Sequence, residues 1–292
     1  MRGDLALDQL RTLAAVVSEG SFEAAASHLR ITPSAVSQRM KALEAATGRV
    51  LVRRTRPVTV TEQGAEVLRL ARQVDLLVRE LTPVSGDTVP VAVPVVVNAD
   101  SLATWFLPSV AGVADRVLLD VQREDERYAL ARMRDGSAMA AVSAVGDRVP
   151  GCSVSVLGTM RYRAMAAPSF AARWFPDGLT PDALARAPVV EFDRDDELQQ
   201  RLVRRVTRRR VDPPRHYVPG SEAFRESIAL GIGWGMLPDL QSGPLEESDA
   251  VREIGERGRI DVRLHWHQYQ LDSPALTLLS DAVREGARQH LR

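Results

Sequence analysis

The sequence predicts a multidomain α/β protein: a small N-terminal winged helix-turn-helix domain, then one long linker helix, then a large α/β domain. Three observations support this prediction. Three short helical patterns occupy residues 7–47, an amphipathic pattern of about twenty residues follows, and strand and helix patterns alternate from residue 90 onwards. The 292 residues are enough for two or three domains, and 45% hydrophobic with 26% charged residues is typical of globular chains.

The first thirty residues predict two short helices. Apolar residues recur at helical spacing from Leu7 to Val17, and Gly20 ends this first pattern. A second helix begins after the capping residue Ser21 and contains alanine at 24–26. Because these side chains are small, a third helix can approach closely, which favours a helix-turn-helix arrangement.

The third helix, from Thr32 to Glu44, has two different faces. Thr32 caps the helix and Pro33 occupies its first position. The apolar face carries Val36, Met40, Leu43 and Thr47, and the other face carries Ser34, Ser37, Gln38 and Lys41. Small hydroxyls, an amide and a cation suit a helix that lies in a DNA groove. A polar stripe on its own is more typical of a solvent-exposed face.

Residues 50–61 predict the wing of a winged helix. The strand-like segments 50–52 and 58–61 flank a basic turn from Arg53 to Pro57. Between Leu29 and Val60 there are seven basic residues and one acid, Glu44, although the whole chain has a net charge of +0. This local excess of positive charge, after a helix-turn-helix pattern, favours DNA over an ordinary charged surface.

These patterns predict a set of DNA-contacting residues. We expect Ser34, Ser37 and Gln38 to reach base edges in the groove. We expect the phosphates to be held by Ser21, Thr32, Arg39 and Arg54, and the set is completed by Pro33, Lys41 and Arg53.

Residues 61–81 predict a helix about 30 Å long. Its apolar stripe consists of Val67, Leu70, Ala71, Val74, Leu77, Val78 and Leu81. Because this helix is longer than the small N-terminal core needs, the pattern favours pairing with the same helix of a second subunit. Packing within its own domain is the alternative. Residues 82–87 read as a linker after the helix.

From Val89 the alternation of strands and helices predicts an α/β fold with largely parallel sheets. In such folds, ligands bind beyond the carboxyl ends of strands. These ends are acidic here, at Asp100, Glu124, Asp125, Glu126, Asp193, Asp195, Asp196 and Glu222. Acids near helix N-termini are also the ordinary preference of the helix dipole, so a structural role is the alternative.

If several of these acids converge on one cleft, they suit a cationic ligand. Backbone N–H groups and the hydroxyls of Ser101, Thr104 and Ser221 lie at the same ends and suit a carboxylate. A small molecule with a carboxylate, an amine and a distal positive charge is a basic amino acid.

Other classes of protein have weaker support. No apolar run approaches the ~20 residues that span a bilayer. No signal peptide is recognisable, and the single Cys152 allows no internal disulfide, so we expect a cytoplasmic protein with no membrane partner. His265 and His267 share one face of a strand, but no third metal ligand is near in sequence, so we expect structural histidines rather than a metal site.

We expect no catalytic residues and no cofactor. The sequence has no G-x-S-x-G, Walker or Rossmann pattern. The rival hypothesis is a small-molecule-binding or enzymatic domain whose N-terminal part serves only for oligomerisation.

Several N-terminal segments form a dense and specific pattern. They are Ala25-Ala26, Leu29, Ile31-Thr32, Ser34-Ala35-Val36-Ser37, Met40, Leu43-Glu44, Gly48, Leu51, Arg54-Thr55, Val60-Thr61 and Gly64. With them, residues 5–64 resemble the DNA-binding domain of LysR-type transcriptional regulators.

Further segments extend the resemblance to essentially the whole chain. They are 97–105, Glu124-Asp125-Glu126, 187–190, Ser221-Glu222-Ala223-Phe224, Met236-Leu237-Pro238 and Trp266-His267. They resemble the ArgP/LysG branch of the family, whose members sense lysine or arginine and control a basic-amino-acid exporter. A LysR-type regulator of a different effector is the alternative. One departure is Pro219-Gly220, where we expect small polar residues before Ser221.

The resemblance implies a division of the chain into three parts. They are a winged helix-turn-helix domain at 1–60, a linker and dimerisation helix with a hinge at 61–89, and an effector-binding domain of periplasmic-binding-protein type at 90–292. We expect lobe I at 90–163 with 266–292, and lobe II at 164–265.

The resemblance also implies a ligand and partners. The effector is L-lysine or L-arginine in the cleft between the lobes, contacted by Asn98, Asp100, Ser101, Thr104, Glu124, Asp125, Asp193, Ser221 and Glu222. The expected partners are double-stranded DNA, RNA polymerase at the promoter, and further copies of this chain in a homodimer or homotetramer.

Overall fold

A computed structural model of the protein describes residues 5–81, 90–123, 126–208 and 211–292. The N-terminal domain contains α1 (Leu7–Glu19), α2 (Phe22–Leu29), α3 (Pro33–Thr47), β1 (Val52–Arg53) and β2 (Thr59–Val60). The caps are those expected from the sequence. Gly20 ends α1 with a left-handed φ of 70°, and the hydroxyls of Ser21 and Thr32 accept hydrogen bonds from the first turns of α2 and α3. The predicted winged helix-turn-helix domain is confirmed, with wing strands shorter than expected.

The predicted apolar face of α3 forms the centre of this small domain. Val36, Met40 and Leu43 are buried against α1 and α2. Thr47 is only partly buried, because its hydroxyl donates a hydrogen bond to the Leu43 carbonyl 2.9 Å away. The alanine run of α2 lies between the helices, with Ala25 fully buried.

The long helix α4 (Glu62–Leu81) joins the small domain to the rest of the chain. Leu68 and Ala71 belong to the N-terminal core, and Leu76 belongs to the core of the large domain. Two residues of the predicted stripe, Leu70 and Leu81, are 41% and 81% exposed. The stripe is therefore shared between packing within the chain and solvent. The predicted linker at 82–87 lies outside the described residues.

The large domain begins at β3 and contains most of the strands. In chain order its named elements are β3 (Val91–Val97), α5 (Ala99–Ser101), a π-helical turn (Leu102–Phe106), α6 (Leu107–Val110), β4 (Val117–Arg123), α7 (Glu126–Arg134), β5 (Ala140–Ser143), β6 (Cys152–Ala166), α8 (Pro168–Trp174), α9 (Pro181–Arg186), β7 (Val189–Glu191), α10 (Leu198–Thr207), β8 (Arg215–Tyr217), α11 (Ser221–Ala229), β9 (Gly235–Pro238), α12 (Asp239–Glu247), β10 (Arg252–Glu253), β11 (Arg259–Tyr269) and α13 (Pro274–His290).

The main sheet has seven strands and is mixed rather than largely parallel. Strand β3 pairs in parallel with β4 and β5, as the alternating pattern predicts. The long strands β6 and β11 pair antiparallel along almost their whole length, and β9 and β10 also pair antiparallel with β6. The prediction of mainly parallel sheets was therefore wrong for the centre of the domain, where the two long strands pair antiparallel.

A second, smaller sheet lies on the far side of β6. Strands β7 and β8 pair in parallel, and a bridge between Val189 and Trp234 connects them to the segment that enters β9. The carboxyl ends of β3 and β7 face the same region of the domain, where the cavity described below lies. Among the described residues, none of the helices combines the length and hydropathy needed to cross a bilayer.

Candidate DNA interface and effector cavity

The outer face of α3 carries the polar stripe predicted from the sequence. Ser34, Gln38 and Lys41 are exposed and Ser37 is partly exposed, on the side opposite the buried Val36. No ion pair or side-chain hydrogen bond joins these four polar side chains to other described residues. The face is therefore available to an external partner.

The residues predicted to hold phosphates surround this face. The hydroxyl oxygens of Ser21 and Thr32 accept hydrogen bonds from the N–H groups of Ala24 and Ala35, at 3.0 and 3.2 Å, so each hydroxyl proton stays available for another acceptor. Arg54 lies over the Phe22 ring, with its guanidinium carbon 4.9 Å from the ring centroid. This cation–π contact orients an exposed guanidinium beside α2.

The other cations of the basic segment differ in their surroundings. Arg39 is paired with Asp8 of α1, with 3.1 Å between Nε and Oδ2, and Arg49 is paired with Glu66 of α4. Arg53 is exposed in the wing, and Pro33 is exposed at the start of α3. Intramolecular acids therefore offset part of the local charge that the sequence shows.

The wing is fixed to α3 and α4 by three residues. The Glu44 carboxylate accepts the backbone N–H of Leu51 at 2.9 Å, and the Thr61 hydroxyl donates to the Val50 carbonyl at 2.7 Å. Gly64 lies directly against the wing, since a Cβ there would be 2.0 Å from the Leu51 carbonyl oxygen. These contacts hold the basic turn in a defined position beside the recognition helix.

A cavity of about 280 Å³ lies where the carboxyl ends of β3 and β7 meet β6, at the small end of the usual range for ligand sites. Its lining is strongly acidic and partly aromatic. The lining residues are Asn98, Ala99, Asp100, Tyr128, Tyr162, Phe192, Asp193, Asp195, Asp196, Glu197, Leu198, Gln199, Arg201, Phe224, Met236 and Val262.

Asp100 is the centre of a hydrogen-bond network on one side of the cavity. Tyr162 donates to Asp100 Oδ2 at 2.7 Å, and Ser221 donates to Asp100 Oδ1 at 3.0 Å. Gln241 in turn donates to the Ser221 hydroxyl oxygen at 2.9 Å. Burial raises the pKa of Asp100, the two hydroxyl donors oppose this shift, and the negative charge of Asp196 raises the pKa further.

The loop between β7 and α10 supplies the second acidic side of the cavity. Asp193 Oδ1 accepts the N–H groups of Asp195 and Asp196, at 2.7 and 2.9 Å. Asp196 accepts the N–H groups of Phe192 and Leu198, at 3.1 and 3.0 Å. Burial raises the pKa of Asp196, the backbone donors oppose the shift, and nearby Asp193 adds to it. The acidic run is thus a hydrogen-bonded loop that holds its carboxylates in place.

Two carboxyl groups with raised pKa values therefore share one small cavity. Asp100 follows β3 and Asp196 follows β7, so they belong to different parts of the fold. A cation bound between them would relieve their repulsion and lower both pKa values. Arg201 lines the same cavity and offers a positive charge to a carboxylate.

Four other residues predicted to bind the effector do not line the cavity. Ser101 is fully buried, and its hydroxyl makes no hydrogen bond within the described part of the chain. Thr104 does not line the cavity, because its hydroxyl donates to the Asp100 carbonyl at 2.6 Å. Ser221 acts through Asp100. Glu222 is exposed and does not line the cavity, because the next position of a helix faces another direction.

The structure therefore brings together Asn98, Asp100 and Asp193 as lining residues, with Ser221 bonded to Asp100. Glu124 and Asp125 lie outside the described residues. The expectation from sequence missed Tyr162, because it lies inside strand β6 rather than at a strand end. It also missed Tyr128, and Phe224 on α11, since aromatic residues at these spacings are typical of ordinary cores.

The two histidines of β11 lie close together inside the large domain. His267 Nε2 lies 2.8 Å from the Val145 carbonyl oxygen, and the His265 and His267 ring centroids are 6.5 Å apart. Burial lowers the pKa of His267. A search of the described ranges finds no group of three or more His, Cys, Asp or Glu residues that would hold a metal ion.

A winged helix-turn-helix domain attached to an α/β domain with a small polar cavity defines a ligand-responsive DNA-binding regulator. The sequence matches the family model described as "Bacterial regulatory helix-turn-helix protein, lysR family" over residues 7–65. It also matches the model described as "LysR substrate binding domain" over residues 97–288. The chain belongs to the LysR family of transcriptional regulators, and it is a DNA-binding regulator rather than an enzyme.

Similar proteins place the chain in the branch that the sequence resembles. The HTH-type transcriptional regulator LysG of Mycobacterium tuberculosis is 44% identical over 283 residues, which cover 96% of this chain and 92% of that protein. The lysine export transcriptional regulatory protein LysG of Corynebacterium efficiens is 43% identical over 293 residues, 97% of this chain and 98% of the relative.

Two solved structures agree with these relatives. The crystal structure of ArgP from Mycobacterium tuberculosis has a TM-score of 0.91 and 42% identity, covering 99% of each chain. The structure of full-length LysG from Corynebacterium glutamicum with bound effector Arg has a TM-score of 0.80 and 38% identity, covering 99% of this chain and 100% of that one. The resemblance to the ArgP/LysG branch is thereby confirmed.

Proposed function

We propose that a basic amino acid, arginine or lysine, binds in the cavity of this regulator and controls its action on DNA. The observation that carries the proposal is the pair Asp100 and Asp196, two partly buried carboxyl groups with raised pKa values in one cavity. The side-chain cation of the ligand would lie between them. The Arg-bound LysG of Corynebacterium glutamicum, which has 38% identity, supports the same ligand class.

The ligand's carboxylate and amino group need separate partners. Arg201 provides a guanidinium at the cavity, and Ser101, next to Asp100 in the chain, has a buried hydroxyl with no hydrogen-bond partner among the described residues. Asn98 lines the cavity, and its side-chain oxygen already accepts the N–H of Ser101 at 3.3 Å. We assign the carboxylate to Arg201 and the ligand's amino group to the Asn98 and Asp193 side. Ser221 acts indirectly, because its hydroxyl donates to the Asp100 carboxylate, whereas the Thr104 hydroxyl donates to the backbone carbonyl of Asp100 and supports the local helix.

We assign the three domains at 1–60, 61–89 and 90–292, with lobe I at 90–163 and 266–292 and lobe II at 164–265. The register of the β6–β11 pairing shifts between Leu264 and His265, which coincides with the proposed boundary on β11, while the facing residues on β6 are Gly158 and Val156. Asp100 belongs to lobe I and Ser221 to lobe II, so their hydrogen bond spans the cleft. A ligand that binds the closed lobes more tightly than the open ones would favour closure.

On DNA, we assign base-edge contacts to Ser34, Ser37 and Gln38 in the major groove. Arg54 and the helix caps Ser21 and Thr32 hold phosphates. Pro33, Arg39, Lys41 and Arg53 complete the DNA-contacting set. The polar, exposed face of α3 and the fixed wing support this assignment.

We propose that the chain acts as an oligomer. The exposed apolar residues of α4, Leu70 and Leu81, support pairing with α4 of a second copy, and two such dimers would form a homotetramer. A dimer presents two recognition helices to a two-fold symmetric site. We further propose that the regulator acts in the cytoplasm, contacts RNA polymerase at the promoter and controls a basic-amino-acid exporter, in line with the name of its Corynebacterium efficiens relative, a lysine export regulator.

Calorimetry on the full-length protein tests the proposed effector. We expect saturable heat with arginine or lysine and none with glutamate. Citrulline is the matched control for arginine, because it has a similar shape without the guanidinium charge, and we expect it to bind much more weakly. Absence of heat with both arginine and lysine would remove the proposed ligand class. Equal affinity for citrulline and arginine would show that the facing carboxylates do not select the ligand.

A further inference from the structure

We infer that Arg72 couples the effector cavity to the DNA-binding domain, by holding the turn after α7 against α4 and α1. Tyr128, in the first turn of α7, lines the cavity. At the other end of α7, the chain turns at Asp135, and Arg72 binds this turn. This inference rests on the proposed function, because it concerns how a bound effector changes DNA binding. No part of it depends on which basic amino acid is the ligand.

The side chain of Arg72 contacts two domains at once. Its Nη1 donates to the Asp135 carbonyl oxygen at 3.1 Å and lies 3.5 Å from Asp135 Oδ1. Its Nη2 donates to the Ser18 hydroxyl oxygen at 3.5 Å, in the last turn of α1. One guanidinium on α4 therefore joins the helix-turn-helix domain to the large domain.

The turn that receives Arg72 cannot move independently of α4. Asp135 Oδ1 accepts the N–H of Ser137 at 2.7 Å, which closes the turn. Gly136 adopts a left-handed φ of 73°, and a Cβ there would be 2.8 Å from the Cα of Arg69. The backbone of the turn thus lies directly on α4, and a displacement of the turn displaces the helix.

The other end of α7 is at the effector cavity. Tyr128, in its first turn, lines the cavity and is 53% exposed. The helix has 9 residues, about 13 Å at 1.5 Å per residue. Leu130 and Met133 are buried in the main core, and the Tyr269 hydroxyl donates to the Met133 carbonyl. A helix held in this way moves as a unit, so a ligand that displaces Tyr128 also displaces Asp135 at the other end of α7.

The Arg72 guanidinium is largely buried where it contacts Asp135. Only 18% of its side chain is exposed, and burial lowers its pKa while Asp135 opposes that shift. Separation from Asp135 would leave a buried guanidinium with fewer partners, which is costly. Loss of the contact therefore has a free-energy cost, which a coupling element between two states requires. By contrast, Arg79 is 62% exposed and pairs with Asp75 on the same helix.

The C-terminal end of α4 is also attached to the large domain, through Glu80. Glu80 Oε1 accepts the Ser273 hydroxyl at 2.7 Å and the Ala275 N–H at 2.9 Å, at the start of α13. Leu76 lies in the main core between this anchor and Arg72. The second half of α4 is therefore part of the large domain, while Leu68 belongs to the N-terminal core. A rotation of α4 by α7 would carry the recognition helix with it.

The test uses the full-length protein with Arg72→Ala, Arg72→Lys and Asp135→Asn, and Arg79→Ala is the matched control on the same helix. Calorimetry gives the arginine affinity, and fluorescence anisotropy gives operator affinity with and without saturating arginine. We expect the Arg72 and Asp135 variants to bind arginine within about twofold of wild type. We expect the arginine-dependent change in operator affinity to fall at least about fivefold in the Arg72 variants, within the usual range of allosteric coupling, and by less in Asp135→Asn, which keeps the backbone carbonyl that Nη1 contacts.

Three further results decide the inference. The double variant Arg72→Ala with Asp135→Asn should lose no more coupling than Arg72→Ala alone, because Asp135→Asn only weakens a contact that Arg72→Ala has already removed. Arg72→Lys keeps the charge but cannot reach Ser18 and Asp135 together, so it should lose coupling while folding normally. Preserved coupling in both Arg72 variants, as in Arg79→Ala, would overturn the inference while leaving the effector intact. Absence of arginine heat in the wild type would instead refute the proposed function, and the inference with it.

Discussion

The substitution Asp100→Asn tests whether the Asp100 carboxylate binds the ligand or only supports the surrounding hydrogen-bond network. Asp100 accepts hydrogen bonds from the hydroxyls of Tyr162 and Ser221. Both hydroxyls can rotate to accept from an amide, so asparagine keeps the network and removes only the negative charge. If Asp100 binds the ligand's cation, the substitution should weaken effector binding without unfolding the protein.

The size of the effect follows from the contact that is lost. A hydrogen bond to a charged group contributes about 1.5–3 kcal/mol, which corresponds to a roughly 10- to 150-fold loss of arginine affinity. The free energy of unfolding of Asp100→Asn should rise, although its arginine affinity falls. Because burial raises the pKa of Asp100, the folded state binds more protons than the unfolded state as pH rises above about 3.9. The ionised carboxylate therefore costs stability at neutral pH, and asparagine removes that cost.

The assay is calorimetry with arginine alongside thermal unfolding without it. The matched control is Asp177→Asn, which removes an exposed carboxylate from the turn between α8 and α9, outside the cavity lining. We expect reduced affinity with an unchanged or higher melting temperature for Asp100→Asn, and no change in either quantity for Asp177→Asn. Wild-type arginine affinity in Asp100→Asn, or a large drop in its melting temperature, would refute the reasoning.

Three further predictions concern DNA, pH and the wing. Gln38→Ala should reduce discrimination at one operator base pair by about 1–3 kcal/mol, and unchanged selectivity would contradict the base-reading role. Arg54→Ala should weaken binding to all DNA alike and reduce the slope of log affinity against log salt concentration by about 1. Both variants are measured by fluorescence anisotropy on operator and random duplexes. Arginine affinity should rise as pH increases above the ordinary titration range of aspartate, because the cavity carboxyls with raised pKa values attract a cation only when ionised; a flat calorimetric profile would count against them. Gly64→Ala should destabilise the protein by about 1–3 kcal/mol in thermal unfolding, since its Cβ would be 2.0 Å from the Leu51 oxygen, and Gly112→Ala, with nothing within 4 Å, should not.

The N-terminal domain was predictable because its signals are local. Thr32 and Pro33 mark the start of α3 within one turn, and Gly20 ends α1 by its left-handed conformation. The buried face of α3 also follows from periodicity alone. What the sequence did not show is that Arg39 and Arg49 pair with acids of α1 and α4, because those pairs depend on tertiary packing.

The sheet topology was less predictable than its elements. Alternation of strands and helices correctly indicated β3 to β5, because strands joined by helical crossovers pair in parallel. Strands β6 and β11 are separated by more than ninety residues of sequence, and their antiparallel pairing has no local signal. The long helix α4 shows the same limit, since Leu68 and Leu76 are buried by two different cores rather than by one continuous stripe.

The cavity was predicted in part, for a physical reason. The rule that ligands bind beyond strand ends led to Asn98, Asp100 and Asp193, and all three line the cavity. It could not find Tyr162, which reaches the cavity from the middle of β6. It also could not separate Ser221 from Glu222, because neighbouring helix positions differ in direction and only the packing of α11 decides which one faces Asp100.

The structure of this protein determined with arginine tests the central claim most directly. The account predicts an ordered arginine in the cavity, with its guanidinium between the carboxylates of Asp100 and Asp196 and its own carboxylate near Arg201. Ordered arginine at another place on the protein, or none at a concentration that saturates the calorimetric signal, would contradict it.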